Sequence, residues 1–162
     1  MPYLGGRLTD LVRGVREVTP PAARAMAAIG GRHLTLRTRD GTPIGPGTDY
    51  GHVRGSWTEK EVEHQRSGGI DRYRSGVESH HYRAPWVEWG VEPHDIEPDD
   101  AQAIDTPEGP RAGAHHPGYP GAHPVAKAVA ELEATLPEVM QPELEAWAKA
   151  AEANAKRYPG IH

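Results

Sequence analysis

At the centre of the chain stands Tyr82-Arg83-Ala84-Pro85-Trp86-Val87-Glu88-Trp89-Gly90, a turn-sized segment that holds three aromatic residues and a single acid. Tyr82, Trp86 and Trp89 follow one another at steps of four and three residues, so in a helical turn they share one face. Because large rigid aromatics bury much area at low entropic cost, we interpret them as core residues, with a subunit interface as the alternative. Glu88 then points elsewhere, toward a basic partner or a helix N-terminus.

A second informative stretch is the Pro/Gly-rich lead-in over residues 115–124, which ends in Pro124 and delivers the chain into a C-terminal helix. Pro137 and Pro142 interrupt that helix, so we expect a kink or two abutting helices, and residues 135–138 fit a capping box that would start the second one. The apolar residues that predict the helix recur at steps of three to five: Val125, Val129, Leu132, Leu136, Val139, Leu144 and Trp147.

The N-terminal third predicts two short helices, or one helix broken near Pro20. Apolar residues at positions 8, 11, 12 and 15 form a helical stripe, and Thr19-Pro20 indicates an N-cap with proline in the first turn. An Ala-rich run follows, and Gly30-Gly31 is expected to stop it. Residues 33–38 alternate in polarity before Asp40-Gly41, which predicts a strand and a turn.

An antiparallel hairpin is predicted next. Residues 56–64 and 70–78 each indicate a strand, and Ser67-Gly68-Gly69 indicates the turn between them. Long Pro/Gly-rich loops are expected over residues 39–50 and 92–117, the second acidic and carrying a short strand near 94–96. The sequence therefore predicts one α+β domain over residues 1–162, in which a small antiparallel sheet packs against an N-terminal and a C-terminal helix.

Composition excludes several classes of function. The 162 residues include 19 Gly and 16 Pro but no Phe, so we expect a thin core that gains stability from neighbouring molecules. The absence of Cys excludes disulfides and thiolate metal sites, and a net charge of −5 argues against a dedicated nucleic-acid binder. No apolar run approaches the ~20 residues of a membrane span, and the N-terminus lacks a signal-peptide core. We expect a soluble protein without a membrane partner.

The sequence contains no strong motif for catalysis, metal binding or phosphate binding. Ten histidines with acids nearby raise the idea of a metal site, yet ligand spacing such as HExxH is absent, and adjacent histidines in extended chain point opposite ways. The serines lie in no nucleophile elbow, and the Gly-rich turns lack the Lys and Ser/Thr of a phosphate loop. We therefore expect no catalytic residue, metal or cofactor, and keep a small metal-dependent hydrolase built on the histidines as the alternative.

Taken in order, the motifs resemble those of the siphophage neck (tail-component) family, which joins the portal assembly of the capsid to the tail. In that family a long N-terminal helix leads to a threonine-glycine-leucine-arginine-x-serine stretch, similar to Tyr50-Gly51-His52-Val53-Arg54-Gly55-Ser56 here. After a hairpin comes tyrosine-alanine-x-tyrosine-valine-glutamate-phenylalanine-glycine, which residues 82–90 resemble, with Trp in both later aromatic places and one extra residue. A small-residue and proline lead-in to the last helix is similar to residues 118–125. The resemblance covers residues 10–157.

The resemblance implies a structural virion protein that forms a ring at the head-to-tail junction, with six copies to match the tail or twelve to match the portal side. The implied partners are adaptor or stopper proteins on one side and the tail tube or its terminator on the other, with genomic DNA only as transiting cargo. A tail terminator and a minor capsid or decoration protein are alternatives in the same class. The implied location is the virion neck, after synthesis in the bacterial host cytoplasm.

Overall fold

Two long antiparallel helices frame the structure, a computed structural model that describes residues 4–44, 48–97, 104–106, 109–111 and 113–157. Helix α1 spans Leu4–Gly41 and helix α4 spans Pro124–Ala155, and the two pack along each other. Three polar side-chain contacts join them along their length: Arg37 Nε to Glu131 Oε1 at 3.0 Å, Trp147 Nε1 to Thr19 Oγ1 at 3.3 Å, and Asn154 Nδ2 to Glu17 Oε2 at 2.7 Å.

Helix α1 is continuous where the sequence predicted a break and then a strand. Pro20 and Pro21 lie inside it, Gly30-Gly31 does not end it, and residues 33–38 are helical. Thr19 is not an N-cap, because its hydroxyl donates to the carbonyl oxygen of Val15 at 2.7 Å. Each proline removes one backbone donor from the helix, but packing against neighbours on two sides holds the segment helical.

Small residues on α1 allow neighbouring elements to pack closely against it. Because such residues also occur in breaks and strands, the sequence wrongly predicted both within α1. A Cβ atom on Gly31 would collide with the Ser75 side chain of the hairpin. Thr35 and Thr38 are buried on the same helix and Thr42 is buried directly after its end, and the hydroxyls of Thr35 and Thr42 donate to carbonyl oxygens four residues earlier. Buried threonines interleaved with the exposed Leu36 give the alternation that predicts a strand.

The central hairpin is confirmed. Strand β1, Thr58–Ser67, pairs antiparallel with β2, Ile70–Glu78, with Ser67 opposite Ile70. Gly68 and Gly69 have φ of 58° and 77°, the left-handed conformation of a two-residue turn that matches the twist of the strands. Helix α2, Thr48–Ser56, precedes the hairpin, so the end of the loop predicted over residues 39–50 is helical and β1 starts two residues later than predicted.

In the described parts of residues 90–120 the chain forms three short antiparallel strand pairs. The strand near 94–96 was predicted, whereas its pairing partner and the next pair lie where the sequence predicted loop. The pairs are β3 (Gly90–Val91) with β8 (Tyr119–Pro120), β4 (His94–Ile96) with β7 (Ala114–His116), and β5 (Ile104–Thr106) with β6 (Gly109–Arg111). Together with α3, Ala84–Trp89, these elements confirm an α+β fold of helices and small antiparallel sheets.

Helix α4 is a single helix with Pro137 and Pro142 inside it, so the prediction of two abutting helices is wrong. The predicted capping box at Thr135 is wrong as well, since that hydroxyl donates to the Glu131 carbonyl oxygen at 3.0 Å within the helix. No helix in the described part of the chain is long and apolar enough to cross a membrane.

The core is thin, as composition predicted. Seven hydrophobic residues among those described are buried, and four of the seven are alanines. A cluster that includes larger side chains lies where α2, β2 and α3 meet the start of α4. Its buried members are Val53, Trp57, Ala84 and Val87, with Val77, Ala122 and Val125 packed against them.

Candidate functional site

The segment over residues 82–90 forms α3 and its flanks, and it is anchored on one face only. Ala84 and Val87 are 4% and 3% exposed and pack in the core cluster with Val53 and Trp57. The N–H of Ala122 donates to the Val87 carbonyl oxygen at 2.8 Å, which joins the end of α3 to the lead-in of α4. This face of α3 is therefore fixed in place by the body of the protein.

Gly90 allows the chain to leave α3 beside the strand that returns to α4. Its φ is 84°, and a Cβ atom there would collide with the Tyr119 carbonyl oxygen and the Gly121 nitrogen. Only glycine meets both requirements without strain. Gly90 thus both follows the last turn of α3 and admits the return strand β8.

Glu88 is the buried acid of the site and caps α4 from a distance in sequence. It is 8% exposed, its Oε2 accepts the Val125 N–H at 2.9 Å, and its Oε1 accepts the Ala126 N–H at 3.1 Å. These are first-turn donors that have no partner within the helix, and the carboxylate also meets the positive end of the helix dipole. Of the two directions foreseen for Glu88, the helix N-terminus is confirmed.

The residues that precede these donors explain why α4 is capped in this way. His123 occupies the N-cap position with φ 52° and ψ 47°, a left-handed conformation, and its side chain makes no capping hydrogen bond. Pro124 follows in the first turn, fully buried and within 3.7 Å of the point where Gly41 would carry a Cβ. The last turn of α1 and the first turn of α4 are thereby locked together, with Glu88 supplying the cap.

The three aromatics lie on the other side of α3, so the prediction that they are core residues is wrong. Tyr82 is 64% exposed, Trp86 44% and Trp89 72%. The Tyr82 and Trp86 rings meet edge to face with centroids 5.7 Å apart, and the Arg83 guanidinium lies 5.1 Å from the centre of the Tyr82 ring. We call Tyr82, Trp86 and Trp89 the aromatic surface. An interface role, the alternative reading of these residues, stays a prediction.

Two shallow grooves border the aromatic surface on either side of Val91 and Tyr119. The first, of about 560 Å³, runs from Trp89 along the β3–β8 pair. The second, of about 310 Å³, is lined by Arg83, Trp86, Val91, His94, His116 and Tyr119. The polar groups that line the second groove are a guanidinium, two imidazoles and a phenol.

The histidines beside this groove contact one another, the backbone and one described acid. Among the residues that the structure describes, no three His, Asp or Glu side chains converge on a point that could hold a metal ion. His94 and His116 stack across the β4–β7 pair, but His116 Nδ1 accepts the Gly118 N–H at 3.0 Å, which leaves the ring proton on Nε2. His115 donates to Asp95 at 2.7 Å on the opposite face.

Sequence reasoning missed two features of the site. The pairing of Glu88 with Val125 joins residues 37 positions apart, and only the fold brings them together. The groove that His94 and His116 line was not foreseen either: a short strand near 94–96 was predicted, but its pairing with residues 114–116 was not, because such short strands have too little periodicity to reveal a partner.

With this geometry established, the chain was compared with known protein families, curated proteins and solved structures, and none of them matches it.

Proposed function

We propose that this chain is a structural protein of a tailed bacteriophage that assembles as a closed ring in the neck, between portal-side adaptor or stopper proteins and the tail tube or its terminator. The proposal combines the motif resemblance of residues 10–157 to siphophage neck proteins with one structural observation. That observation is an exposed aromatic surface on a helix whose opposite face is buried in the core and hydrogen-bonded to the start of α4.

The exposure of Trp89 and its neighbours carries the proposal. Trp and Tyr are the residues most enriched at the energetic centres of protein interfaces, because they bury a large area at a small cost in side-chain entropy. Helix α3 presents them from a fixed position, since Val87 is buried and Glu88 bonds two backbone N–H groups of α4. A surface that is already in its binding conformation loses little entropy on association.

The rest of the molecule fits a subunit that is completed by its neighbours. The buried core is small and rich in alanine, so contacts between copies would add stability that the single chain lacks. A head-to-tail contact repeated around an axis closes as a ring, and a ring leaves a channel through which DNA can pass. The net charge of −5 suits a channel wall that DNA slides along without sticking.

In this proposal the chain supplies shape and contacts, and no enzymatic step. A tail terminator and a capsid decoration protein would share the ring or surface contact and differ in the neighbour that is bound. The hairpin over residues 58–78 packs on α1 and exposes most side chains of β1, and we assign it, together with the β4–β7 and β5–β6 pairs, to contacts with those neighbours in the virion.

The solution mass of the purified chain tests the proposal. We expect light scattering after size exclusion to give one discrete species of six or twelve times 17.6 kDa that persists on dilution. A monomer at every concentration, or an open series of polymers without a defined end, would contradict the ring. Tight binding of double-stranded DNA at physiological salt would contradict the passive channel.

A further inference from the structure

The turn that joins β7 to β8 is closed by an imidazole. The Gly118 N–H donates to His116 Nδ1 at 3.0 Å, and Gly118 has a φ of 72°. A Cβ atom on Gly118 would collide with the Val91 carbonyl oxygen and the Pro93 nitrogen, so the turn lies directly against the connection between β3 and β4. This hydrogen bond therefore sits between the β3–β8 pair and the β4–β7 pair, which meet at the turn.

The hydrogen bond requires His116 to be neutral. A backbone N–H only donates, so Nδ1 of His116 presents its lone pair and the ring proton lies on Nε2. A histidinium ring carries a proton on both nitrogens and is a donor only. Protonation of His116 at Nδ1 would thus place two N–H groups against each other, and the Gly118 N–H would lose its acceptor.

His94 on the facing strand carries its proton on the other nitrogen. It stands directly opposite His116 in the β4–β7 register, and the two rings stack with centroids 5.0 Å apart. His94 Nδ1 lies 2.9 Å from the Glu92 carbonyl oxygen, which only accepts, so this nitrogen is the protonated one. His94 can therefore take a second proton on Nε2 and keep its hydrogen bond, and two charged rings at this distance repel each other.

The other titratable and charged groups around the stacked pair come from the elements on either side of it. In the described residues they are Arg83 and Tyr119, which line the same groove, Glu92 on the far side of the turn, and His115 with Asp95 on the opposite face of the β4–β7 pair. The described part of the chain places no carboxylate in ion-pair contact with His94 or His116. A positive charge gained by the stack is therefore not offset there by an acid.

We propose that His116 is a pH-dependent switch: its neutral ring closes the turn at residues 117–118, and its protonation opens the turn and loosens the β3–β8 pair. An imidazole free of the turn takes up a proton at about pH 6.5, and a state that binds a proton is favoured as the pH falls. The closed turn excludes a proton from Nδ1 and the open turn accepts one. The closed form is therefore favoured above about pH 6.5 and is lost progressively below it.

The switch would change the groove beside Trp86, because His94, His116 and Tyr119 form part of its lining. Neutral pH would hold the walls of that groove in the observed arrangement, and acid would release the wall that β7 and β8 supply. The inference concerns the single chain and does not rest on the proposed ring.

Amide hydrogen exchange at the turn, divided by the intrinsic rate at each pH, measures the opening. In residues 117–121 only Gly118, Tyr119 and Gly121 carry a backbone N–H, so one peptide in a mass spectrum reports on the turn. We expect its protection in the unmodified chain to fall about tenfold or more between about pH 7.5 and about pH 5. His116→Asn should show a change of less than about twofold, because an asparagine oxygen accepts the N–H two residues on and does not titrate.

His116→Phe and His115→Asn complete the comparison. Phenylalanine keeps a ring over His94 but offers no acceptor, so the turn should have the same low protection at both pH values as the unmodified chain has in acid. His115→Asn removes a histidine that bonds Asp95 on the other face, and it should keep the pH dependence of the unmodified chain. Circular dichroism establishes that each variant is folded, and peptides from α4 show whether the rest of the fold stays intact in acid.

Three results would overturn the switch. The first is a turn in the unmodified chain that is equally protected at both pH values. The second is a folded His116→Asn protein whose turn still opens in acid, since another group would then be responsible. The third is a His116→Phe turn that stays protected at neutral pH, which decides the question even where the asparagine variant does not fold.

Discussion

The carboxylate of Glu88 lies 2.9 Å from the backbone nitrogen of Val125 and caps helix α4 across 37 residues of sequence. The same acid sits on the short helix that presents the aromatic surface, so one buried side chain fixes both the start of α4 and the orientation of α3. The residues of this segment that stabilise the fold therefore lie on one face of α3, and the residues that form the proposed contact surface lie on the opposite face.

Removing the Glu88 cap should destabilise the fold. Glu88→Ala leaves two first-turn N–H donors of α4 without their acceptor and should lower the free energy of unfolding by about 1–3 kcal/mol, whereas Glu88→Gln keeps one acceptor and should cost about 0.5–1.5 kcal/mol. Urea denaturation measures both. Glu92→Gln, at an exposed position four residues on, is the control and should change little. A Glu88→Ala protein as stable as that control would show that the cap contributes nothing.

The left-handed backbone at His123 should select against branched side chains. With φ 52° and ψ 47°, His123→Val should lose about 1–2 kcal/mol, because a Cβ crowds the carbonyl oxygen in this region and a β-branched one does so most. His123→Gly should be neutral or gain a few tenths, because relief of that crowding is offset by the greater backbone entropy that glycine loses. Thermal unfolding of the two variants side by side provides the comparison. Equal melting temperatures would mean that position 123 does not keep this conformation in solution.

Gly90 should be intolerant of even a methyl group. Gly90→Ala combines a positive φ with a collision against β8 and should cost more than about 2 kcal/mol. Gly55 provides the matched control, because it lies in α2 with open space around it and Gly55→Ala should gain up to about 1 kcal/mol from helix propensity. The denaturant midpoints of Gly90→Ala and Gly55→Ala are compared with that of the unmodified chain. A Gly90→Ala protein as stable as the unmodified chain would contradict the pairing of β3 with β8.

Trp57 and Trp89 should differ in how much each contributes to the free energy of unfolding. Trp57 is 6% exposed, so Trp57→Ala should cost about 3–5 kcal/mol. Trp89 is 72% exposed, so Trp89→Ala should change the stability of the monomer by no more than about 0.5 kcal/mol. Unfolding is best followed at concentrations where both variants are monomeric. A large loss of stability in the Trp89→Ala monomer would show that Trp89 is a core residue.

The hairpin and the fold class could be predicted from the sequence because their signals are local. A Gly68-Gly69 turn between two alternating segments needs no tertiary information to be recognised. Helix α1 could not be predicted as one element, because Gly31 is small to admit Ser75 and Thr35 is buried with its hydroxyl bonded to its own helix. Local propensity assigns such residues to breaks and strands, and tertiary packing overrides it.

The candidate site was predicted in part for a similar reason. The spacing of Tyr82, Trp86 and Trp89 on a helical turn indicates that they share a side, but not whether that side faces inward. Both sides of α3 carry apolar residues, and Ala84 and Val87 are the pair that enters the core. A sequence pattern favours burial of the larger side chains, here the three aromatics. That expectation is wrong for these residues, which form a surface that we assign to contact with a neighbouring copy.

The most direct test of the ring assembled through the aromatic surface is a native mass spectrum of the unmodified chain beside Trp89→Ser at the same concentration. The account predicts a single multiple of 17.6 kDa, six or twelve, for the unmodified chain and its collapse to 17.6 kDa in the variant. The same mass for both proteins, whether monomer or ring, would contradict it.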